Sequence, residues 1–249
     1  VGHFSDALDG GPLRLELRSI NGRDFALLRP IAYSADDYTE PFVVPAQLET
    51  FRTDMASVPW VFTWLVPRSG RFLPAAVLHD ALVLPGSYAG PEVTRPEADR
   101  LFRVAMRGLG TGVIRTWLMW SAVSMATMWE AKHPRWYWRS AVVGLIAVVT
   151  VLGILATLDL FDVWNLLPWM GERSLGAELL GGALGALVIP AVLACSWGRT
   201  FAPAGIITAV ALAFLVHVTL AIALVYTLYW LLERAVSGPA VRRGPPFGG

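Results

Sequence analysis

The chemistry available to this sequence is carried by one imidazole and three acids. His79 and Asp80 are adjacent within an apolar run, with Ala75-Ala76-Val77-Leu78 before them and Ala81-Leu82-Val83-Leu84 after. Asp99 follows in Arg95-Pro96-Glu97-Ala98-Asp99-Arg100-Leu101-Phe102, and Asp54 precedes in Arg52-Thr53-Asp54-Met55-Ala56-Ser57-Val58-Pro59-Trp60. Charge removed from water is costly unless it is paired or bound to a metal, so the dyad calls for partners from elsewhere in the chain. The pattern suits a hydrolytic site. His79 acts as general base on water, Asp99 holds the imidazole tautomer, and Asp80 helps to bind a divalent cation that stabilises an oxyanion. A loop over residues 53 to 57 supplies Asp54 to the cation, with Ser57 and Arg95 in support.

Two antiparallel helices, about 73 to 84 and 95 to 109, can bring side chains twenty residues apart into contact. His79 and Asp80 then point about 100° apart, one toward the partner helix and one toward a loop. Pro85-Gly86 stops the first helix, and Thr94 with Glu97 three residues later, and Pro96 in the first turn, is a capping-box start for the second. Upstream, Leu13 to Ile20 alternates with the period of a half-buried strand and runs into the turn dipeptide Asn21-Gly22. Phe25 to Tyr33 is the returning strand, Phe42 to Pro45 a short third one, and Ser57 to Val66 reads as helical, with Trp60, Trp64 and Leu65 at helical spacing. A further apolar helix is expected at about 113 to 131. It has 14 uncharged residues between Arg115 and Glu130, too few to cross a bilayer core of about 30 Å.

The 249 residues are 55% hydrophobic, and residues 1 to 139 hold 15 of the 20 Lys and Arg and 14 of the 19 Asp and Glu. The rest falls into uncharged runs that read as three spans, about Ser140 to Leu158, Leu175 to Trp197 and Ala204 to Leu232, with Trp and Tyr at their ends. The fold class is therefore α+β. A small N-terminal hairpin or sheet and a helical bundle carrying the dyad (1–131) precede a basic-aromatic linker (132–139), three transmembrane helices (140–232) and a disordered tail (233–249). Gly181, Gly182 and Gly185 predict close helix packing. His217, mid-span, has no acid in the first or third span and reads as a neutral interhelical hydrogen bonder. A net charge of +1 without a basic face excludes a nucleic-acid partner, and the single Cys195 forms no internal disulfide. The expected location is the inner (cytoplasmic) membrane. Lys132, Arg135 and Arg139 favour a cytoplasmic first domain, Arg234, Arg242 and Arg243 oppose it, and the absence of a basic-then-apolar leader in Val1 to Asp9 decides for it.

The three motifs around Asp54, His79-Asp80 and Asp99 together resemble the phage and bacterial family known as domain of unknown function 1353, over roughly residues 10 to 125. That family implies no activity. The pattern is also similar to phospholipase A2, especially its small prokaryotic branch: a helix-borne His-Asp pair like His79-Asp80, and an Asp on the next helix followed by Phe and Met, like Asp99, Phe102 and Met106. That resemblance implies His79 as base, Asp80 on calcium and Asp99 orienting the histidine. No cysteines flank the dyad, however, Val83 stands where a tyrosine is usual, and no glycine-rich calcium loop precedes it. An HD-type phosphohydrolase would need more histidines than His3 and His133 supply in this half. Two readings follow. The first is a membrane-anchored hydrolase acting on phospholipid at the bilayer. The second is a non-catalytic phage- or prophage-derived membrane protein whose His-Asp cluster only stabilises a module that docks a protein partner. In that second reading Asp54 and Ser57 are turn and cap residues, and Asp99 pairs with Arg95 or Arg103.

Overall fold

A computed structural model describes residues 2–21, 24–54, 66, 69–131, 134–171 and 173–236. Five short strands come first: β1 (His3–Asp6), β2 (Leu17–Ser19), β3 (Phe25–Leu27), β4 (Ile31–Ser34) and β5 (Phe42–Val44). Among the described residues six helices follow: α1 (Leu73–Val83), α2 (Arg95–Gly108), α3 (Val113–Glu130), α4 (Arg135–Leu160), α5 (Leu175–Cys195) and α6 (Gly198–Val236). The chain forms two compact units: the second is Ser121–Val225, and the first takes the residues before it and those from Tyr226 onward.

In the first unit β2 and β3 pair as the expected hairpin, Leu17 opposite Leu27. The Asn21 amide donates to Asp24 and accepts from its backbone N–H, both at 2.7 Å. The returning strand breaks at 28–30 and resumes as β4, which joins β1 and β5 in a separate antiparallel sheet of order β1-β4-β5. Pro30 has no N–H for a ladder, and Arg29 turns instead to an ion pair with the buried Asp6 and to Asp9 at 2.9 Å. The Arg29 guanidinium holds the Asp6 carboxyl below its usual range. β1 was not expected: four residues without apolar alternation carry no strand signal of their own, and β4 supplies it.

The core of this unit sits between the three-stranded sheet and α1–α2. Ile31, Tyr33, Phe42, Val44, Phe72, Val77, Leu78, Leu101 and Met106 are fully buried. Each large apolar side chain so buried is worth roughly 1.5–3 kcal/mol. α1 is buried almost all round, the property that makes its polar pair conspicuous, and it packs on both α2 and β5. It ends where expected, at Pro85-Gly86, with Gly86 at φ +75. α2 buries one face, Ala98, Asp99, Leu101, Phe102, Ala105 and Met106. Its capping box does not close: Thr94 makes no side-chain cap bond, and the Glu97 carboxylate that would reach back to the Thr94 N–H is taken by Arg100 and Tyr38. Most of the helix expected at 57–66, with Trp60, Trp64 and Leu65, lies outside the described residues, as does the tail beyond 236.

Among the described residues, four helical stretches are long and apolar enough to cross a membrane: Arg135–Leu160, Leu175–Cys195, Gly198–Leu215 and His217–Val236. The three expected spans undercount them because α6 runs 39 residues, about 58 Å at 1.5 Å per residue, and holds two such stretches end to end. The basic-aromatic segment is already helical from Arg135, Pro134 standing at the N-cap. Asp159, expected in a loop, is buried in the last turn of α4 and accepts the Leu167 N–H at 3.0 Å. In the second unit Met125, Met128, Val142, Leu145, Val149, Trp197 and Ala209 form an apolar cluster.

Tyr33 is fully buried, its ring is 4.7 Å from that of Phe4, and its hydroxyl has no partner among the described residues. Burial pushes that hydroxyl up to about 12. An unsatisfied buried polar group costs about 1–3 kcal/mol, so Tyr33→Phe is expected to raise unfolding stability by about 1 kcal/mol; urea denaturation of the two proteins measures it.

Candidate functional site

α1 and α2 deliver the imidazole and the acid to one another. His79 Nε2 lies 2.7 Å from Asp99 Oδ1, with 11% of the histidine side chain and 2% of the aspartate side chain exposed. Each is the polar residue on an otherwise apolar helix face, so each satisfies the other where water does not. Phe102, one turn after Asp99, sets its ring 5.1 Å from the imidazole and restricts its rotation. With Asp99 ionised, Nε2 is the protonated nitrogen and Nδ1 carries the lone pair. A carboxylate behind one ring nitrogen and a basic lone pair on the other is the arrangement a general base requires.

Asp80 points away from this pair and is partly buried. It accepts a hydrogen bond from the Thr53 hydroxyl at 2.5 Å. Thr53 is buried and held by a two-way backbone bridge to Phe25, 2.8 and 3.0 Å. Burial pushes the Asp80 carboxyl up to about 6; the Thr53 bond opposes that rise, Asp54 adds to it by repulsion, and His79 opposes it. Asp54 is exposed, close enough to be felt electrostatically. Two carboxylates, one of them already bonded to a hydroxyl, fall short of the six to eight oxygens that calcium takes. Among the described residues no group of three His, Cys, Asp or Glu side chains is arranged to hold a metal. Among the described residues, Asp80 and Asp54 by themselves do not make up a calcium site. Ser57 lies outside the described residues, and Arg95 is half-buried at the first position of α2.

Two features around the pair were not read from the sequence as parts of the site. Thr53 was noted only as a neighbour of Asp54; its hydroxyl ahead of an acid is a faint signal, and its pairing with a residue 27 positions away is tertiary. Arg103, one turn past Asp99 on α2, stacks on Trp117 at 4.4 Å and Trp120 at 5.4 Å. Burial and the neighbouring Arg100 hold its guanidinium below the usual arginine range. Glu97 and Arg100 brace the same helix from outside: Arg100 binds Glu97 through two nitrogens and Asp37 at 2.7 Å, while Tyr38 donates to Glu97 at 3.0 Å. Glu97 is held below its usual range chiefly by Arg100.

Residues 25–123 match the family described as "Protein of unknown function (DUF1353)", inside the span over which the sequence motifs suggested it. The similarity to phospholipase A2 finds no support there, since that family description names no activity. No curated protein and no solved structure matches the chain.

A raised carboxyl in the folded state means that the native protein binds a proton more tightly than the unfolded chain. Asp80 therefore contributes stability that is fully present below pH 3.8 and lost as pH rises through about 6. Compared at matched pH, Asp80→Asn is expected to abolish that decline, so that its stability relative to the parent protein rises between pH 4 and 7 by roughly 1–3 kcal/mol. Denaturant midpoints across that range measure the difference.

Proposed function

We propose, for a chain whose residues 25–123 belong to the DUF1353 family, a membrane-anchored hydrolase of phospholipid esters with His79 as its general base. The observation that carries this reading is the 2.7 Å contact between His79 and Asp99, with 11% of the histidine side chain exposed. Water attacks the ester carbonyl carbon as His79 Nδ1 takes its proton, and Asp99 stabilises the imidazolium so formed. The ester C–O bond breaks, the leaving alkoxide recovers the proton from His79, and a fatty acid and an alcohol result. The helical stretches able to cross a membrane support the choice of substrate, since tethering raises the local concentration of lipid seen by the site. In this reading the first unit lies on the cytoplasmic face of the inner membrane.

The test uses the full chain in vesicles of zwitterionic phospholipid with a fluorescent acyl chain, measured with added calcium and with a chelator. The wild type is expected to release fatty acid. His79→Gln can still donate an amide N–H to Asp99 but cannot accept the proton, and should lose on the order of 10²–10⁴-fold in kcat while melting near the wild-type temperature. Asp99→Asn should lose activity on a similar scale. Release that persists in His79→Gln, or no release by the wild type in either condition, overturns the proposal. A strict calcium requirement would assign Asp80 and Asp54 to the cation after all.

A further inference from the structure

The second unit contains a cavity of about 380 Å³ between α4, α5 and the first half of α6. Its walls are almost entirely apolar, and its polar atoms come from Thr157, Glu178, His217 and the Trp169 indole. Two of these sit at one end. Thr157 is in the last turn of α4 and Glu178 in the first turn of α5, both beside the connection over residues 161–174. From Glu178 the cavity follows α5 to Pro190, about 18 Å of helix at 1.5 Å per residue. Gly181 and Gly185 predicted close packing between helices, but what they admit is this connection. A Cβ at Gly185 would meet the Trp169 indole nitrogen at 2.8 Å, and one at Gly181 would meet the Trp169 carbonyl oxygen. The cavity wall is thus built by small residues that let Trp169 lie flat against α5.

The charge at the polar end is one-sided. Glu178 is 8% exposed, and one of its oxygens accepts the Arg173 backbone N–H at 3.1 Å. Among the described residues no Lys or Arg lines the cavity. His217 is engaged with the Thr157 hydroxyl, which in turn donates to the Gly153 carbonyl at 2.7 Å. The sequence offered His217 no acidic partner; the fold puts Glu178 on the wall of the same cavity. Three aromatic residues also line the cavity: Trp169, and Phe161 and Phe214, which are largely exposed at its rim. A buried acid on the wall of an apolar slot that also carries aromatic side chains suits an ammonium group, by charge and by the ring quadrupoles. An acid serving only as a helix N-terminal partner needs neither the rings nor an apolar slot leading away from it.

We infer that this cavity binds a single-chain amphiphile with an ammonium head, its head at Glu178 and Trp169 and its alkyl tail along α5 toward Ile189 and Pro190. The volume is at the small end of the roughly 300–1,000 Å³ of ligand pockets, which suits one chain rather than two. This site is independent of the His79 chemistry, and no covalent step is involved.

The experiment uses the full chain in lipid nanodiscs and three photoactivatable probes with the same long alkyl chain, ending in a primary amine, a hydroxyl or a carboxylate. Saturable labelling of α5 and α6 peptides is expected, with the amine preferred over the carboxylate by about tenfold or more. Glu178→Gln should remove that preference and leave the labelling. Gly182→Leu, which fills the slot beside Met170, should remove the labelling for all three heads. Labelling that rises linearly with probe, that spreads to outward residues such as Leu187 and Val188, or that shows no head preference in the wild type overturns the inference. Because the wild-type comparison of heads stands alone, misfolding of either variant does not leave the question open.

Discussion

The first unit depends on one hydrogen bond made in a place where water is scarce. An imidazole in the middle of an almost wholly buried helix and an acid on the buried face of its neighbour would each be costly alone, and together they satisfy one another at 2.7 Å. That requirement fixes the rotation of α1 and α2 about their axes as firmly as the apolar packing does. It also places Asp80 about 100° away on α1, where the bridged Thr53 meets it. The two polar residues of the dyad thus have separate neighbours and separate electrostatics despite being adjacent in the chain.

The surroundings of the pair are built to keep it in position. β3 holds Thr53 through a backbone bridge, β5 holds the turn after α1 through another to Ala89, and the Glu97–Arg100–Asp37 group with Tyr38 fastens α2 to the loop after β4. These anchors are backbone bonds or multiply bonded ion pairs rather than single exposed salt bridges, which contribute little. Their effect is geometric: they hold α1 and α2, and with them the paired side chains, in register.

The second unit solves a different problem with the same economy of polar groups. In helices long enough to cross a bilayer, side-chain hydrogen bonds such as that between Thr157 and His217 take the place of water. Small residues on α5 make room for the Trp169 segment, and the space left over is a slot with Glu178 near one end. Glycine here serves close approach of an irregular segment rather than of a second helix.

Much of the architecture follows from local order in the sequence. The bounds of α1 and α2 come from Pro and Gly punctuation and from the residue patterns at their ends, and the membrane-length stretches come from uncharged runs; these signals act over a few residues and survive without tertiary context. The importance of His79, Asp80 and Asp99 was legible for the same reason: polar residues in apolar surroundings demand partners. Which partners they take was not. The Thr53 hydroxyl on Asp80, β1 as a strand, the division of 25–33 between two sheets, the open capping box at Thr94 and the shared cavity of Glu178 and His217 all depend on contacts between residues far apart in the chain. Such contacts are decided by how whole elements pack, and a hydrogen bond between distant side chains leaves no periodic trace in the sequence that makes it.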